Sequence, residues 1–564
     1  MIKESGNCLQ RVVRCFVRHS LPIMSLLLLL VTSLFIFLVF KNIQYPLLWN
    51  DEGETMVFAE RILSYGFPKA DDGKNTLNLC EFEKRDLCVR QGLGAYVFEP
   101  WIQFYIAVPG AFLAHNFTDI YLKTALARIP FTLIGCLSLI IFGLTITKLY
   151  KEGKQKLFFI ALFIFLEALS PFLLLHLRQA RSYPVTLLFS AIIIYLYVNH
   201  NFLKKFSLRT YNISIITLLF LLFHLFYPVY IIFIVTFTLH VLITFTFSKN
   251  RRSILRSFMP YALSVITILP SLWFFNTIPI VFQAKESFSF LPSRYFILLK
   301  RIIYFFSIYE FLLPIIYLKT IIISCFAFSA QFRKYISSSL HTQVSLLFTL
   351  LFVVSVLIIP YGPYFYFRYT LPLQPILTMV LLLDLCVTIV IFKKIKRRIK
   401  YFAAPPLLIL LVLSLAPSLS VKPVLFINYL REISVAYKGP LDFIIPYIKS
   451  NYNDPKNLII ATNYEEPSYI YYLDSKIIVG HTGINLEKDR KIAPDIIILR
   501  RYIFPNSNVI KDLISEGNYK KTPFPIFDYP VNNIPELILS PFHLFSTKYT
   551  NDPNEMLEIY EKIH

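Results

Sequence analysis

The stretch from residue 21 to residue 54, LPIMSLLLLLVTSLFIFLVFKNIQYPLLWNDEGE, decides the fold class of this chain. Its first part, Leu21–Phe40, contains no charged side chain, and about 20 apolar residues in a helix are enough to cross the hydrocarbon core of a bilayer. The acidic residues Asp51, Glu52 and Glu54 follow about ten positions later. The stretch therefore predicts a membrane-spanning helix with carboxylates just beyond its end, at the membrane surface.

The rest of the chain repeats this apolar pattern. Hydrophobic residues make up 56% of the 564 positions, which exceeds their share in a soluble domain. Apolar runs of membrane-spanning length lie near 21–40, 126–147, 157–175, 184–198, 211–227, 228–247, 257–275, 305–330, 341–359, 369–391 and 402–420. The sequence thus predicts a polytopic α-helical membrane protein with about eleven transmembrane helices.

Lysine and arginine are concentrated in alternate loops between these runs. Those loops carry 23 basic residues but only two acids, Glu4 and Glu152, and they account for nearly all of the net charge of +22. Because Lys and Arg collect in short cytoplasmic loops, the alternation predicts a cytoplasmic amino terminus and an extracytoplasmic carboxyl terminus. The excess of basic over acidic residues reflects the orientation of the chain in the membrane, so we expect no nucleic-acid partner.

The first predicted extracytoplasmic portion is the loop 41–125. It contains an amphipathic helical pattern over Glu54–Tyr65. It also contains an apolar segment, Pro100–His115, whose length, Trp, Tyr and internal Pro favour a position along the lipid head groups. We therefore expect this second segment not to cross the membrane.

The second predicted extracytoplasmic portion is the tail 421–564. Strand patterns over 457–461, 475–479 and 495–499 surround a helical stretch, 466–473. This alternation is typical of a small α/β domain. We therefore predict a transmembrane catalytic module over 1–420 and an extracytoplasmic α/β domain over 421–564.

Two cysteines, Cys80 and Cys88, share the first extracytoplasmic loop. They are close enough in the chain to pair, and disulfides form in oxidising compartments, so a Cys80–Cys88 bond is one interpretation. Zinc binding fits less well, because no nearby His or Cys pair completes a set of four ligands.

The acidic residues Asp51, Glu52 and Glu54 allow two interpretations. Acids favour the first turn of a helix because they interact well with its positive end, so the group could be a solvated helix start. Alternatively, the carboxylates belong to a reactive site at the membrane surface. The pattern of the acids alone leaves both interpretations open.

Two further polar groups are predicted on the same membrane side. They are His176-Leu-Arg178-Gln-Ala-Arg181-Ser-Tyr183, at the end of the third apolar run, and Tyr364-Phe-Tyr366-Phe-Arg368-Tyr369, before the tenth. Tyr and Arg are common interfacial anchors, and for the tyrosines this is the better interpretation. An arginine near hydrocarbon is costly unless it meets an anion, which favours an anion-binding role for Arg178, Arg181 and Arg368.

Carboxylates and arginines that converge on one membrane face describe a site for phosphate displacement. Guanidinium groups bind a phosphate bidentately and stabilise it as a leaving group. A carboxylate can take the proton from an attacking hydroxyl. A lipid-phosphate donor would explain why such a site lies in a bundle of spans, since its apolar tail can stay in the bilayer.

These residues resemble those of the GT-C integral-membrane glycosyltransferases, in the branch of the protein O-mannosyltransferases and the lipid A aminoarabinose transferase. The resemblance covers most of the chain. The order and spacing of the motifs, and the membrane side that they share, make the set specific to that family. The motifs are Asp51-Glu52, Ala59-Glu60-Arg61-Ile62-Leu63-Ser64-Tyr65-Gly66, the Pro100 segment, Ala127-Arg128-Ile129-Pro130, Arg178-Gln-Ala-Arg181-Ser-Tyr183, Arg368-Tyr369-Thr-Leu-Pro372, Glu466-Pro467-Ser-Tyr469 and Pro494-Asp495.

The resemblance implies an inverting glycosyltransferase that moves a hexose or pentose from a polyprenyl-phosphate carrier to a glycan, lipid or protein acceptor on the extracytoplasmic face. It implies a cell-envelope location in a bacterial inner membrane. We expect the lipid-linked donor and membrane lipids as partners, and no cofactor or obligatory metal. A transporter or flippase of lipid-linked glycans is an alternative from a different class, and a non-catalytic scaffold is a third.

The resemblance also implies roles for single residues. Asp51 is expected to be the general base, and Glu52 to orient the acceptor or tune Asp51. The residues expected to hold the carrier phosphate are Arg178, Arg181, Arg368 and, as a hydrogen-bond donor, Tyr183. The residues expected to line the site are Glu54, His176, Glu310 and Tyr364. For Glu310 a structural ion pair is an equal alternative.

Overall fold

The computed structural model describes residues 20–77, 85–90, 92–246, 251–280, 292–362, 366–394, 397–502, 506–528 and 542–563. Within these ranges, eight helices contain an apolar stretch long enough to cross a membrane. They are Ser20–Phe40, Ile120–Leu149, Ser182–Asn201, Tyr227–Thr246, Arg251–Phe274, Leu340–Ile358, Leu373–Lys394 and Arg397–Ser434. The chain is a polytopic α-helical membrane protein, as predicted.

Two further apolar segments are each bent into a pair of helices. The pairs are Gly153–Ala168 with Pro171–Leu177, which meet at 81°, and Pro292–Ile308 with Leu312–Phe328, which meet at 85°. At the first bend the Ser170 hydroxyl accepts a hydrogen bond from the Leu173 amide, and Pro171 occupies the first helical turn. A Ser cap followed by Pro starts a new helix, so the chain turns there instead of continuing straight.

The predicted number of spans is not confirmed. Counting each bent pair as one span gives ten within the described part of the chain. The remaining predicted span, 211–227, coincides with the helix Leu208–Phe223, whose 16 residues fall short of the roughly 17 to 25 that a crossing needs. Helix Ala330–Ser338 is shorter still and connects two of the apolar helices.

The loop between the first two spanning helices contains two helices of its own. The first, Asn50–Tyr65, is called the Asp51 helix below, and Gly66 ends it with a φ of 82°, a left-handed conformation that favours glycine. The second, Ile102–Ala114, has 13 residues and is too short to cross a bilayer, in agreement with the prediction. A hairpin of β1 (Val89–Arg90) and β2 (Ala95–Tyr96) lies between them.

The C-terminal portion contains a five-stranded sheet with the order β4-β3-β5-β7-β6. The strands are β3 (Ile459–Thr462), β4 (Lys476–Val479), β5 (Ile496–Ile498), β6 (Tyr519–Phe527) and β7 (Met556–Lys562). Strand β3 pairs in parallel with β4 and β5, whereas β7 pairs antiparallel with β5 and β6. The helices of this portion are Leu441–Asn451, Glu466–Leu473, Leu486–Asp489 and Ser507–Glu516.

The structure confirms the three predicted strands of the tail and its helical stretch 466–473. Strands β6 and β7 are not among the predicted elements. Strand β6 contains Pro523 and Pro525, and proline lacks the amide that a ladder hydrogen bond needs. Its sequence therefore lacks a clear strand pattern, although it forms one edge of the sheet.

The C-terminal domain contacts the segment that leads into the Asp51 helix. The Asp442 carboxylate accepts a hydrogen bond from the Leu47 amide (3.3 Å), and the Tyr472 hydroxyl accepts one from the Leu48 amide (3.0 Å). The Ser468 hydroxyl donates to the Leu48 carbonyl at 2.8 Å. These bonds fix the backbone just before Asp51.

Candidate active site

Asp51 lies in the first turn of the Asp51 helix, and its side chain is 21% exposed. Its Oδ2 atom is 3.4 Å from Nη2 of Arg368 and 3.7 Å from Nη2 of Arg181. The positive end of the helix adds to the favourable field at this carboxylate. The structure thus brings three of the predicted site residues together.

Arg181 lies at the centre of a group of carboxylates. It is buried and immediately precedes the helix Ser182–Asn201. Its Nη2 atom is 3.3 Å from Oε1 of Glu99, and its Nη1 atom is 3.5 Å from Oε2 of Glu54. Nη1 also donates to the Asp51 carbonyl oxygen at 3.2 Å. The guanidinium therefore offsets the repulsion among three neighbouring acids.

Arg368 is surrounded by aromatic rings. Its guanidinium carbon lies 4.0 Å from the ring centre of Tyr366, 5.2 Å from that of Trp49 and 5.7 Å from that of Tyr183. A cation over the face of an aromatic ring is attracted by the ring's negative face. The three rings therefore hold the guanidinium beside Asp51, and Tyr183 lies in the site where the sequence predicts it.

Glu54 is a buried acid of this group. Burial raises the pKa of Glu54 well above its usual value; the Glu99 carboxylate raises it further, whereas Arg181 lowers it. The Tyr96 hydroxyl donates a hydrogen bond to Glu54 Oε1 at 3.0 Å. Burial and the Glu99 carboxylate therefore favour the protonated form of Glu54, whereas its contact with Arg181 favours the ionised form.

Glu52 has different partners from its neighbour Asp51. Arg128 donates to Oε1 from Nε (2.8 Å) and to Oε2 from Nη2 (2.6 Å), and the Ala180 amide donates to Oε1 at 2.8 Å. Both residues of this ion pair are buried. The pair ties the Asp51 helix to the helix Ile120–Leu149 and to the residue before Arg181. The orienting role expected for Glu52 stays a prediction.

Arg178 does not join the Asp51 group in this structure. Its Nη2 atom donates to the carbonyl oxygens of Lys41 (3.1 Å) and Asn42 (2.7 Å), and Nη1 donates to the Tyr429 hydroxyl at 3.2 Å. These bonds link the bend after Leu177 to the end of the first spanning helix. Of the three arginines expected to hold the carrier phosphate, the structure places Arg181 and Arg368 beside Asp51 and Arg178 apart from it, and their role stays a prediction.

The other predicted site residues are placed as follows. His176 is buried, with its ring centre 4.9 Å from that of Phe172 and 5.8 Å from that of Tyr183. Glu310 forms a buried ion pair with Lys422 at 2.8 Å, which matches the structural alternative stated for it. Cys88 is in a disulfide bond. Its predicted partner Cys80 and the predicted site residue Tyr364 lie outside the described residues.

An apolar cavity begins directly next to Arg368. It is a narrow crevice between the helices Tyr227–Thr246, Leu340–Ile358 and Leu373–Lys394, and its empty volume of about 260 Å³ includes space that is open to the surroundings. Its lining includes Val229, Phe233, Leu351, Ile359, Tyr369 and Ile376. Because Tyr369 follows Arg368 in the chain, a ligand with a charged head and an apolar tail could contact both environments.

The sequence analysis does not name Glu99, and it names Arg128, the partner of Glu52, only within a motif and without a role. The signal for Glu99 is its position directly before the interfacial segment that starts at Pro100. Arg128 belongs to the Ala-Arg-Ile-Pro motif at the start of its helix. In the described ranges, no group of three or more His, Cys, Asp or Glu side chains has the geometry of a metal site. The expectation that no metal is required stays a prediction.

The fold is that of an integral membrane protein with many apolar helices and a small C-terminal sheet domain. Among solved structures it is similar to ArnT from Cupriavidus metallidurans in the apo state, with a TM-score of 0.50, 13% identity and coverage of 87% of this chain and 95% of that chain. It is also similar to the structure of the same ArnT bound to undecaprenyl phosphate, with a TM-score of 0.49, 11% identity and coverage of 87% and 95%. No family model and no curated protein matches the sequence. The likeness to apo ArnT confirms the predicted resemblance at the level of the fold.

Proposed function

We propose that this protein is an inverting glycosyltransferase that moves a sugar from a polyprenyl-phosphate carrier to an acceptor hydroxyl. The observation that carries the proposal is the Asp51 carboxylate, 3.4 Å from Arg368 and 3.7 Å from Arg181, at the start of a helix in an ArnT-like fold. The carboxylate that would accept the proton and the arginines that would bind the phosphate are therefore close enough to contact the same ligand.

The reaction is a single displacement at the anomeric carbon of the sugar. The acceptor oxygen attacks this carbon from the side opposite the phosphate, and its O–H proton passes to the Asp51 carboxylate. A new C–O bond to the acceptor forms as the bond between the anomeric carbon and the phosphate oxygen breaks. The phosphate leaves with the electron pair of that bond, and the configuration of the carbon is inverted.

Arg368 and Arg181 stabilise the negative charge that develops on the departing phosphate. Fixed cations that lie in place before the reaction do not need to reorganise, which lowers the barrier. The rings around Arg368 and the carboxylates around Arg181 keep both guanidiniums in position. Arg178 is left out of this step, because its guanidinium is bound to backbone carbonyls and to Tyr429.

A lipid-linked donor is supported by the apolar cavity next to Arg368. The carrier phosphate would lie at Arg368, and its tail would extend past Tyr369 between apolar helices. The acceptor would then approach from the membrane face that bears the C-terminal domain, which we propose to be the extracytoplasmic face of a bacterial inner membrane.

The proposal is tested with purified protein in lipid nanodiscs. A panel of labelled undecaprenyl-phosphate hexoses and pentoses is offered together with a membrane extract as the acceptor pool. Transfer of label to a new product supports the proposal, and the mass of that product identifies the acceptor as glycan, lipid or protein. If the donor stays intact across the panel while labelled lipid crosses the bilayer of proteoliposomes, the chain is a flippase and the proposal is wrong.

A further inference from the structure

The C-terminal sheet directs the ends of its parallel strands towards the Asp51 helix. Strands β4, β3 and β5 run in parallel, so the loops that follow them emerge at one edge. After β3 the chain continues to β4, which lies at one edge of the sheet, and after β5 it continues to β6, which lies at the opposite edge. In open α/β sheets, the crevice outside the carboxyl ends of two such strands is where ligands bind.

The loop after β3 is Asn463-Tyr464-Glu465, and it is held rigidly to the loop after β5. The Asn463 amide group donates to the Arg500 carbonyl oxygen (3.0 Å), and the Arg500 amide donates back to Asn463 Oδ1 (2.9 Å). The buried Arg500 guanidinium also pairs with Glu465 and, at 2.6 Å, with Asp528. A network of paired buried groups fixes the conformation of a loop.

This loop lies next to the first turn of the Asp51 helix. A Cβ atom built on Gly53 would lie 2.6 Å from Ser468 Oγ and 2.8 Å from the Ser468 amide nitrogen, so the two backbones are in direct contact there. Asp51 is two residues before Gly53, and Tyr464 is four residues before Ser468. The amino-terminal turns of the two helices therefore converge.

Tyr464 is the residue of this loop whose electrostatic neighbours include Asp51 and Tyr366 of the site. Its ring centre lies 6.0 Å from that of His481 and 5.8 Å from the Arg500 guanidinium. The hydrogen bonds of Tyr464 involve only its backbone, and its hydroxyl has no hydrogen-bond partner among the described residues. Burial, Glu465 and the Asp51 carboxylate raise the pKa of Tyr464 well above its usual value. The hydroxyl is therefore a protonated donor within electrostatic range of Asp51.

We infer that Tyr464 is a positioning residue for the acceptor: its hydroxyl donates a hydrogen bond to a second oxygen of the acceptor, beside the hydroxyl that attacks. This inference rests on the proposed function. It assigns the acceptor side of the site to the C-terminal domain and the donor side to Arg368 and Arg181. It also predicts an acceptor in which two oxygen atoms are neighbours, and water does not meet this condition.

The test uses the full-length protein in nanodiscs, with Tyr464→Phe as the variant. At saturating donor, KM for the identified acceptor should rise about three- to tenfold, the effect of one neutral hydrogen bond, with little change in kcat. Slow hydrolysis of the donor by water should be unchanged. The matched control is Tyr452→Phe, which removes a hydroxyl of the same domain that donates to Glu561 at 2.9 Å.

Four outcomes overturn the inference. An unchanged KM for the acceptor excludes the hydrogen bond. A parallel loss of transfer and of donor hydrolysis shows a general structural effect, and a lowered unfolding midpoint relative to the control shows the same. If the wild-type protein neither transfers nor hydrolyses any donor, the proposed function itself fails and the inference fails with it. This failure of the proposed function can be distinguished from a failure of the inference alone, because it is observed with the wild-type protein and not only with the variant.

Discussion

Asp51 Oδ2 and Arg368 Nη2 lie 3.4 Å apart although 317 residues separate them in the chain. The contact joins the loop after the first spanning helix to the segment before the helix Leu373–Lys394. It places a carboxylate, which can accept a proton, beside a cation, which can bind a phosphate. The proposed chemistry depends on this pairing, and each group can be changed separately.

Replacing Arg368 by lysine keeps the positive charge but removes the planar fork and the stacking on Tyr366 and Trp49. Arg and Lys are not interchangeable where a phosphate is bound bidentately or an aromatic ring is stacked. We expect Arg368→Lys to lower kcat/KM for the lipid-linked donor by about 10²-fold. The matched control is Arg90→Lys, since Arg90 also stacks on an aromatic ring, that of Trp273 at 3.9 Å. Wild-type efficiency in the Arg368 variant would exclude its phosphate-binding role.

The buried pair of Glu52 and Arg128 should be important for stability. Removing one partner of a buried ion pair leaves an uncompensated charge and costs about 3–5 kcal/mol. We therefore expect Arg128→Met to lower the free energy of unfolding by about that amount, measured by denaturant titration in detergent. Lys74→Met breaks the exposed pair with Asp474 and should cost under about 1 kcal/mol. Equal effects of the two substitutions would contradict the structural role of Arg128.

The close contact between Gly53 and Ser468 predicts that Gly53→Ala separates the C-terminal domain from the Asp51 helix. The new methyl group meets the Ser468 backbone, which cannot move away by changing rotamer. We expect a loss of about 1–3 kcal/mol of stability, as in other overpacked contacts, and faster cleavage of the domain by protease. The control is Gly143→Ala, where the nearest atom, Ile160 Cγ2, is 3.8 Å away. Equal protease resistance in both variants would show that the contact tolerates a methyl group.

Two carboxyl groups outside the membrane spans make stability depend on pH. Burial raises the pKa of Glu60 and of Asp442 to about 7 in each case. Between about pH 4.5 and pH 7 these groups are protonated in the folded chain and ionised in the unfolded chain. The unfolded chain then binds fewer protons, so the free energy of unfolding falls as the pH rises through this window.

Unfolding midpoints measured at intervals from about pH 5 to pH 8 check this dependence. The midpoint should fall up to about pH 7 and change less above it. Asp442→Asn resembles the protonated form and should make the fall shallower. A midpoint that rises between pH 5 and pH 7 would show that these acids are ionised in the folded chain.

Much of the fold follows from the sequence because its causes are local. Spanning helices need only an uninterrupted apolar run, and the helical stretch 466–473 and its flanking strands show their periods directly. The bends are harder to foresee, because Ser170 and Pro171 lie within a run whose hydropathy is continuous. With each bent pair counted as one span, the described part of the chain has ten instead of the predicted eleven, because Leu208–Phe223 is short.

The arrangement of the site depends on contacts that the sequence shows less well. Arg178 and Arg181 are three residues apart, and a continuous helix would place both on one face. The helix Pro171–Leu177 ends just before Arg178, however, and the next one begins only at Ser182. The two guanidiniums therefore reach different partners. Glu52, one residue after Asp51, likewise points about 100° around the helix from it.

The most direct measurement compares sugar transfer by the wild-type protein, Asp51→Asn and Asp71→Asn at saturating donor. Asp71 is an exposed acid of the same loop and controls for the substitution itself. We expect Asp51→Asn to lose about 10²- to 10⁴-fold in kcat, the usual contribution of a general base, with an unchanged unfolding midpoint, while Asp71→Asn retains wild-type activity. Transfer by Asp51→Asn at the wild-type rate would show that Asp51 does not accept the proton.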